Sequence, residues 1–227
     1  MESTPSSNRQ LIVGIAVVTV LIFAGLVWVI TKSPNGGSSQ NNETGKPEIV
    51  KFTDDKDPSI GQSNAKVVVR MYGDFQCPAC RSAEAGVKPT IQKYADRVRF
   101  IWKDFPLETI HKNALLAANA ARCAQAQGWF WKFHDFLYEK QAEWSGSDDP
   151  TSTFQTYAIE LEAKADAFNV CLASKAESAR VAANVAEGGA NAVDATPTYF
   201  VNNVRYHGMS PEQWSAILDK ALEEKEK

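Results

Sequence analysis

The sequence predicts an α/β fold that carries an all-helical insertion and is preceded by a single transmembrane helix. Three observations predict it. Residues 11–30 are an apolar run, two strand-like runs at 66–72 and 97–103 flank a helical stripe, and an Ala-rich helical block separates that unit from a hairpin and a closing helix. The 227 residues are 44% hydrophobic and 22% charged with 13 Gly and 10 Pro, which excludes disordered, collagenous and low-complexity classes. Lys plus Arg (24) against Asp plus Glu (27) gives a net charge of −3, and residues 1–31 hold only Glu2 and Arg9. No basic field for nucleic acid exists on such a chain.

The apolar run is interrupted only by Gly14, Thr19 and Gly25. At about 1.5 Å per residue it spans the roughly 30 Å hydrocarbon core of a bilayer. A signal peptide has a shorter apolar region, about 7 to 15 residues, followed by a small-x-small site. Here Trp28 and Ile30 lead into Thr31 and Lys32, so residues 11–31 read as an uncleaved anchor. Arg9 on one side faces Lys32 on the other, leaving orientation to the cysteines. Residues 1–10 are then the cytoplasmic end, 32–46, rich in Ser, Asn and Gly, a flexible linker, and 47–227 the globular domain, with its helical insertion at about 108–192.

Within the domain, residues 66–72 (KVVVRMY) form a β-branched run consistent with a buried strand, ended by Gly73 and Asp74. Ala79, Ala83, Val87 and Ile91 recur at i+4 as one helical stripe, with Pro89 predicting a kink. Residues 97–103 alternate with the period of a strand. Residues 114–126, Phe130 to Leu137, 154–161 and 165–187 are helical in composition. Residues 198–201 and 204–207 flank Asn202-Asn203 as a hairpin. Ser210, Pro211 and Gln213 then mark the start of a helix with Trp214 and Leu218 facing inward.

Four cysteines carry the chemistry. Cys77-Pro78-Ala79-Cys80 sits at the mouth of the helix after the first strand, where N–H groups and the helix dipole stabilise an anion. With Pro78 at the first helical position, Cys77 is the cap and the exposed nucleophile, and Cys80 its inner, shielded partner. The competing readings are a zinc site, which lacks two further ligands at suitable spacing, and a purely structural bridge. Cys123 and Cys171, 48 positions apart, are either two buried core cysteines or, in an oxidising compartment, a structural disulfide, which is the reading preferred here. His111, His134 and His207 are scattered and read as structural. Lys103, at a strand end, reads as solvated, with a polarising role on the thiols as the alternative.

The segments Gly73-Asp74-Phe75-Gln76-Cys77-Pro78-Ala79-Cys80, Lys103-Asp104-Phe105-Pro106-Leu107 and Ala195-Thr196-Pro197-Thr198-Tyr199-Phe200-Val201-Asn202 occur in order after strands and before the last hairpin. Together they make the chain resemble the DsbA-like thiol:disulfide oxidoreductases of the thioredoxin superfamily, especially the membrane-anchored bacterial kind, over about residues 57–224. The resemblance implies a thioredoxin fold with a helical insertion. It also implies a cis-proline loop, here Thr196-Pro197, beside the Cys-x-x-Cys, so that Pro78, Ala79, Thr196 and Pro197 would contact substrate. Two positions depart from that pattern. Met71 stands where relatives often carry a buried carboxylate that moves protons for the inner thiol, which leaves Asp74, a water or nothing for that task. Ala79 stands where strongly oxidising members have histidine.

What the resemblance implies for activity is a monomeric, membrane-tethered dithiol/disulfide oxidant outside the cytoplasm, acting on exported proteins with cysteine thiols. Its recharging partner would be a membrane quinone-linked thiol oxidase of the DsbB or VKOR type, and no metal or organic cofactor is expected. A reductase or isomerase of the same fold, or a redox-inert surface binding module, are the alternatives.

Overall fold

β-Branched and aromatic residues concentrate in two runs, and these form the centre of the sheet. In the computed structural model, which describes residues 51–226, β2 (Val67–Gly73) and β3 (Val98–Asp104) pair in parallel from Val67↔Val98 to Gly73↔Asp104. The helix α1 (Pro78–Tyr94) makes the crossover between them. β1 (Ser59–Gly61) lies antiparallel to β3, β4 (Thr198–Val201) antiparallel to β2, and β5 (Val204–His207) antiparallel to β4, giving the order β1-β3-β2-β4-β5. β1, three residues with no apolar alternation, is absent from the sequence reading; only its pairing with β3 makes it a strand. The proposed cytoplasmic end, anchor and linker, residues 1–46, lie outside the described residues. Among the described residues no helix is long and apolar enough to cross a membrane.

Between β3 and β4 run six helices: α2 (Ala114–Gln125), α3 (Phe130–Glu139), α4 (Gln141–Trp144), α5 (Thr151–Glu160), α6 (Ala165–Ser174) and α7 (Ser178–Ala190). Their core is aromatic. Phe133 lies 5.5 Å from Phe168 and 6.4 Å from Phe154, centroid to centroid, and all three are fully buried. Cys123 and Cys171 are bonded across α2 and α6 with Cα atoms 5.8 Å apart. Closing a 48-residue loop contributes about 4 kcal/mol by chain entropy. The closing helix α8 (Pro211–Glu226) opens with a reciprocal capping box, in which Ser210 N–H donates to Gln213 Oε1 (2.8 Å) and Gln213 N–H to Ser210 Oγ (3.3 Å).

Strand alternation divides the sheet into two unlike faces. Val67, Val69, Met71, Phe100 and Trp102 join the main core with Cys80, Val87, Trp214 and Leu218. Tyr72 on the opposite face packs with Phe105, Val193 and Phe200. The buried face of α1 is Cys80, Gly86, Val87, Thr90 and Tyr94, and the helix continues through Pro89. The expected stripe is therefore rotated. Ala79 is exposed and Ala83 half-buried because Cys80 and Tyr94, rather than the alanines, fill the space against the sheet.

The Tyr72 face is ionic at its centre. Lys103, read from the sequence as solvated, is fully buried, with Nζ 2.6 Å from Asp57, 2.9 Å from Glu187 and 3.2 Å from Asp54. It sits opposite Tyr72 in the register and so on the face away from the thiols, which removes the polarising role as well. Arg122, also without exposed surface, reaches Asp104 (2.6 Å), Asp57 (2.8 Å) and Asn184 Oδ1 (2.6 Å). Burial opposes its charge, but Asp104 and Asp57 outweigh that and hold the guanidinium protonated.

Such a cluster is weak as a net stabiliser and costly to break. Arg122→Met should lower the unfolding free energy by about 3–5 kcal/mol, because Asp104 loses its cation within the core. Urea denaturation checks this; a loss below about 1 kcal/mol would mean the carboxylates find other partners.

Candidate active site

The Cys-x-x-Cys helix is started by its own preceding turn. β2 ends at Gly73, where an added Cβ would strike the Trp102 ring. Asp74, 2% exposed, then accepts from Gln76 N–H at Oδ1 (2.7 Å), and at Oδ2 from Leu107 N–H (2.9 Å), with His111 Nδ1 at 2.7 Å. Cys77 N–H donates to Asp74 O (3.1 Å), closing the turn. Cys77 becomes the N-cap with φ −71° and ψ 121°, and Pro78 the first helical residue, where a missing N–H costs nothing. The insertion clasps this turn from the other side: Gln141 Nε2 donates to Phe75 O (2.7 Å) and Cys77 O (3.1 Å), and Gln76 Oε1 accepts from Asn113 N–H (2.7 Å).

Both thiols are free and both are buried, which corrects the expectation of an exposed Cys77: it is 7% exposed and Cys80 3%. Cover comes from the Thr196-Pro197 segment, whose peptide bond is cis, and which places Thr196 O 3.5 Å from Cys77 Sγ. The two sulfurs are electrostatically unlike. The hydrogen bond from the Cys80 thiol is the largest influence lowering the Cys77 pKa, to about 5; burial opposes it, and Cys80 N–H, the Thr196 hydroxyl and Ala79 N–H assist. Among the described residues Thr196 Oγ1 is buried without a hydrogen-bond partner. A thiolate is the acceptor that satisfies it. Burial, then the hydrogen bond to Cys77 and its charge, push the Cys80 pKa well above the ordinary thiol value.

Residues 53–220 match the family model described as thioredoxin. The chain belongs to the thioredoxin family. Solved thioredoxin-fold structures superpose on it: oxidised BdbD from Bacillus subtilis with a TM-score of 0.67 at 23% identity, over 75% of this chain and 95% of that one; α-DsbA1 from Wolbachia pipientis at 0.67 and 21%, over 78% and 94%; and the reduced disulfide bond oxidoreductase DsbG from Mycobacterium tuberculosis at 0.59 and 27%, over 73% and 85%. Curated relatives are larger proteins. The chain is 36% identical over 77% of its length to Na(+)/H(+) antiporter NhaA 1 of Salinispora arenicola, and 30% identical over 97% to NhaA 1 of Mycolicibacterium vanbaalenii, spanning only 26% and 34% of them. The thioredoxin core with its helical insertion presents a redox-capable pair of free thiols, Cys77 and Cys80, at the start of α1.

On this thioredoxin site Pro78 and Ala79 are exposed next to Cys77, and Thr196 lies across from it. Cys123 and Cys171 belong to the insertion, away from this turn. A groove of about 560 Å³ between residues 51–57 and α7 holds neither cysteine, and its lining of Asp57, Asn184 and Glu187 belongs to the ionic face. Cys80 instead borders a cavity of about 10 Å³ with Met71, Glu84 and Tyr138. Gln76, Gln141, His111 and Glu84 were not singled out as site residues from sequence. The only local signal for Glu84 is its place one turn after Cys80 on the same helix face.

The reduced chain should show thiolate ultraviolet absorbance rising through a midpoint near pH 5, absent in Cys77→Ser. A free thiol titrates near about 8.5, so the folded value is depressed. The reduced form therefore gains stability as pH rises from about 5 to about 8.5, holds it above, and loses it as pH falls through about 5. A midpoint at the free-thiol value would remove the anion-stabilising account of the site.

Proposed function

We propose that the chain is a membrane-anchored, extracytoplasmic thiol:disulfide oxidoreductase that introduces disulfides into exported proteins through Cys77 and Cys80. The observation that carries this reading is the asymmetry of the two thiols, one an anion at a helix start and the other a shielded, neutral thiol. A stable Cys77 thiolate favours the reduced form, which makes the Cys77-Cys80 disulfide an oxidant. A substrate thiolate attacks Cys77 Sγ, breaking the Cys77–Cys80 bond and forming a mixed disulfide. A second substrate thiolate attacks the substrate sulfur, expels Cys77 as thiolate and leaves the enzyme dithiol.

The Cys123-Cys171 bond supports an oxidising compartment, and the apolar run at 11–31 supports an anchor that places the domain there. Exposed Pro78 and Ala79, with Thr196 and Pro197 across the thiol, supply the surface for an extended substrate segment. The enzyme acts as a monomer without metal or organic cofactor, and a quinone-linked membrane oxidase of the DsbB or VKOR type reoxidises it. The match to the oxidoreductase DsbG, at 27% identity, favours catalysis over a redox-inert binding module.

In cells, Cys80→Ser should accumulate mixed disulfides between Cys77 and exported proteins, visible as reductant-sensitive adducts, and Cys77→Ser should accumulate none. The reverse pattern would exchange the roles of the two thiols. Ala79→His should lower the Cys77 pKa and raise the reduction potential by tens of millivolts, since about 30 mV corresponds to about 1.4 kcal/mol in this couple. Equilibration against glutathione reads the potential and ultraviolet titration the pKa. Opposite or absent shifts would show that thiolate stability does not set the potential.

A further inference from the structure

Cys80 is a buried thiol whose proton has to arrive and leave during each half-reaction, and the sheet position beneath it is Met71, which titrates nothing. The cavity of about 10 Å³ beside it is lined by Cys80, Met71, Glu84, Trp102, Tyr138 and Tyr199. That is the size of about one water molecule. Glu84 brings the carboxyl. Its Oε2 is buried without a hydrogen-bond partner among the described residues, and its side chain is 14% exposed. An unpaired carboxylate oxygen in the core is costly, so its presence asks for a use.

A second orphan faces it. His134, 2% exposed, has Nε2 buried without a hydrogen-bond partner among the described residues and 3.9 Å from Glu84 Oε1, while its Nδ1 lies 3.1 Å from Asp135 Oδ1. The tautomer with its hydrogen on Nδ1 satisfies Asp135 and leaves the Nε2 lone pair toward Glu84. A shift of about 1 Å closes that gap to hydrogen-bond distance. Asp135 is 42% exposed, so the series ends at solvent. One polar atom from each of Glu84, His134 and Asp135 lies within 4.8 Å of the others, but Lys88 already holds Asp135 at 3.1 Å, and Glu84 and Asp135 lie nearest to opposite nitrogens of the ring, the arrangement of a path.

We propose that Glu84 exchanges the proton of the Cys80 thiol across this cavity, with His134 as the positioning residue that connects Glu84 to the surface. The proposal rests on the oxidoreductase reading above. When substrate thiolate opens the Cys77–Cys80 bond, Cys80 leaves as a thiolate in the core and takes the proton of the Glu84 carboxyl. The resulting carboxylate is reprotonated through His134. In the reverse half-reaction the Cys80 thiol returns its proton to Glu84 before its sulfur attacks Cys77. Burial raises the Glu84 pKa, which suits a group that must both hold and give a proton. The groups facing Glu84 are Cys80 and Lys88 on its own helix, His134, Asp135 and Tyr138 on α3, and Tyr199 on β4.

Oxidation of the reduced full chain by oxidised glutathione separates the steps. Cys77 thiolate first attacks glutathione disulfide and releases one glutathione thiolate; Cys80 then attacks Cys77 Sγ, releases the second, and closes the Cys77–Cys80 bond. Glu84→Gln should leave the first phase unchanged and slow the second at least about tenfold, against the roughly 10²–10⁴ typical of general acid–base catalysis. Its second-phase pH profile should lose the acid-side inflection. His134→Phe should slow the second phase by a smaller factor, and no slowing there strikes His134 from the path. A second phase unaltered in rate and profile by Glu84→Gln overturns the proposal. The unmodified chain gives an independent reading if that variant does not fold: a second-phase profile following only the Cys80 thiol, without a carboxyl inflection, overturns it too. Absence of the first phase in the unmodified chain would instead overturn the oxidoreductase reading.

Discussion

Arg122 has no exposed atoms, yet it ties together four parts of the chain that are far apart in sequence: α2 itself, Asp104 at the end of β3, Asp57 before β1, and Asn184 on α7. Asn184 Oδ1 also accepts from Asp104 N–H, so the end of β3 is held by side chain and backbone at once. From there the chain enters the loop whose Leu107 N–H and His111 ring bind the Asp74 carboxylate. Asp74 in turn sets the turn that makes Cys77 a helix cap. The helical insertion is thus a clamp on the reactive turn as well as an addition to the sheet.

The two faces of the sheet separate two electrostatic tasks. Lys103 and its carboxylates neutralise one another on the Tyr72 side, where Lys103 is held charged because Asp57 and Glu187 outweigh the burial that opposes it. The cavity beside Cys80 is lined by no such cation; besides the thiol, the ionisable residues in its lining are Glu84 and three tyrosines. A low-dielectric surrounding of that kind magnifies small differences in depth. Cys77, at the helix mouth, meets N–H groups and becomes an anion, while Cys80, one turn inside, meets apolar contacts and stays a thiol.

Particular elements show how far the sequence could be read. β2, β3, the β4–β5 hairpin and the capped start of α8 were legible because each rests on a period, a turn or a cap spanning a few residues. The alanine stripe does not give the buried face of α1, since small residues satisfy a helical period on either side and only packing in the main core selects Cys80 and Tyr94. Lys103 reads as solvated because its three carboxylates come from residues 54, 57 and 187. Cys77 reads as exposed because the segment that covers it lies 119 residues further along.

By itself, then, the sequence determined what is local: the strand and helix periods, two thiols within one turn of a helix, a proline where the first helical N–H is dispensable, and an apolar run of bilayer length. The tertiary structure alone decided burial and therefore chemistry. It brought Gln141 under the reactive turn, His134 against Glu84 and three carboxylates around Lys103, whereas the Thr196-Pro197 loop beside the thiols and the Cys123-Cys171 bond agree with the sequence reading. Charge states in a low-dielectric interior depend on partners within a few ångströms, and here those partners come from distant segments whose approach no short-range pattern encodes.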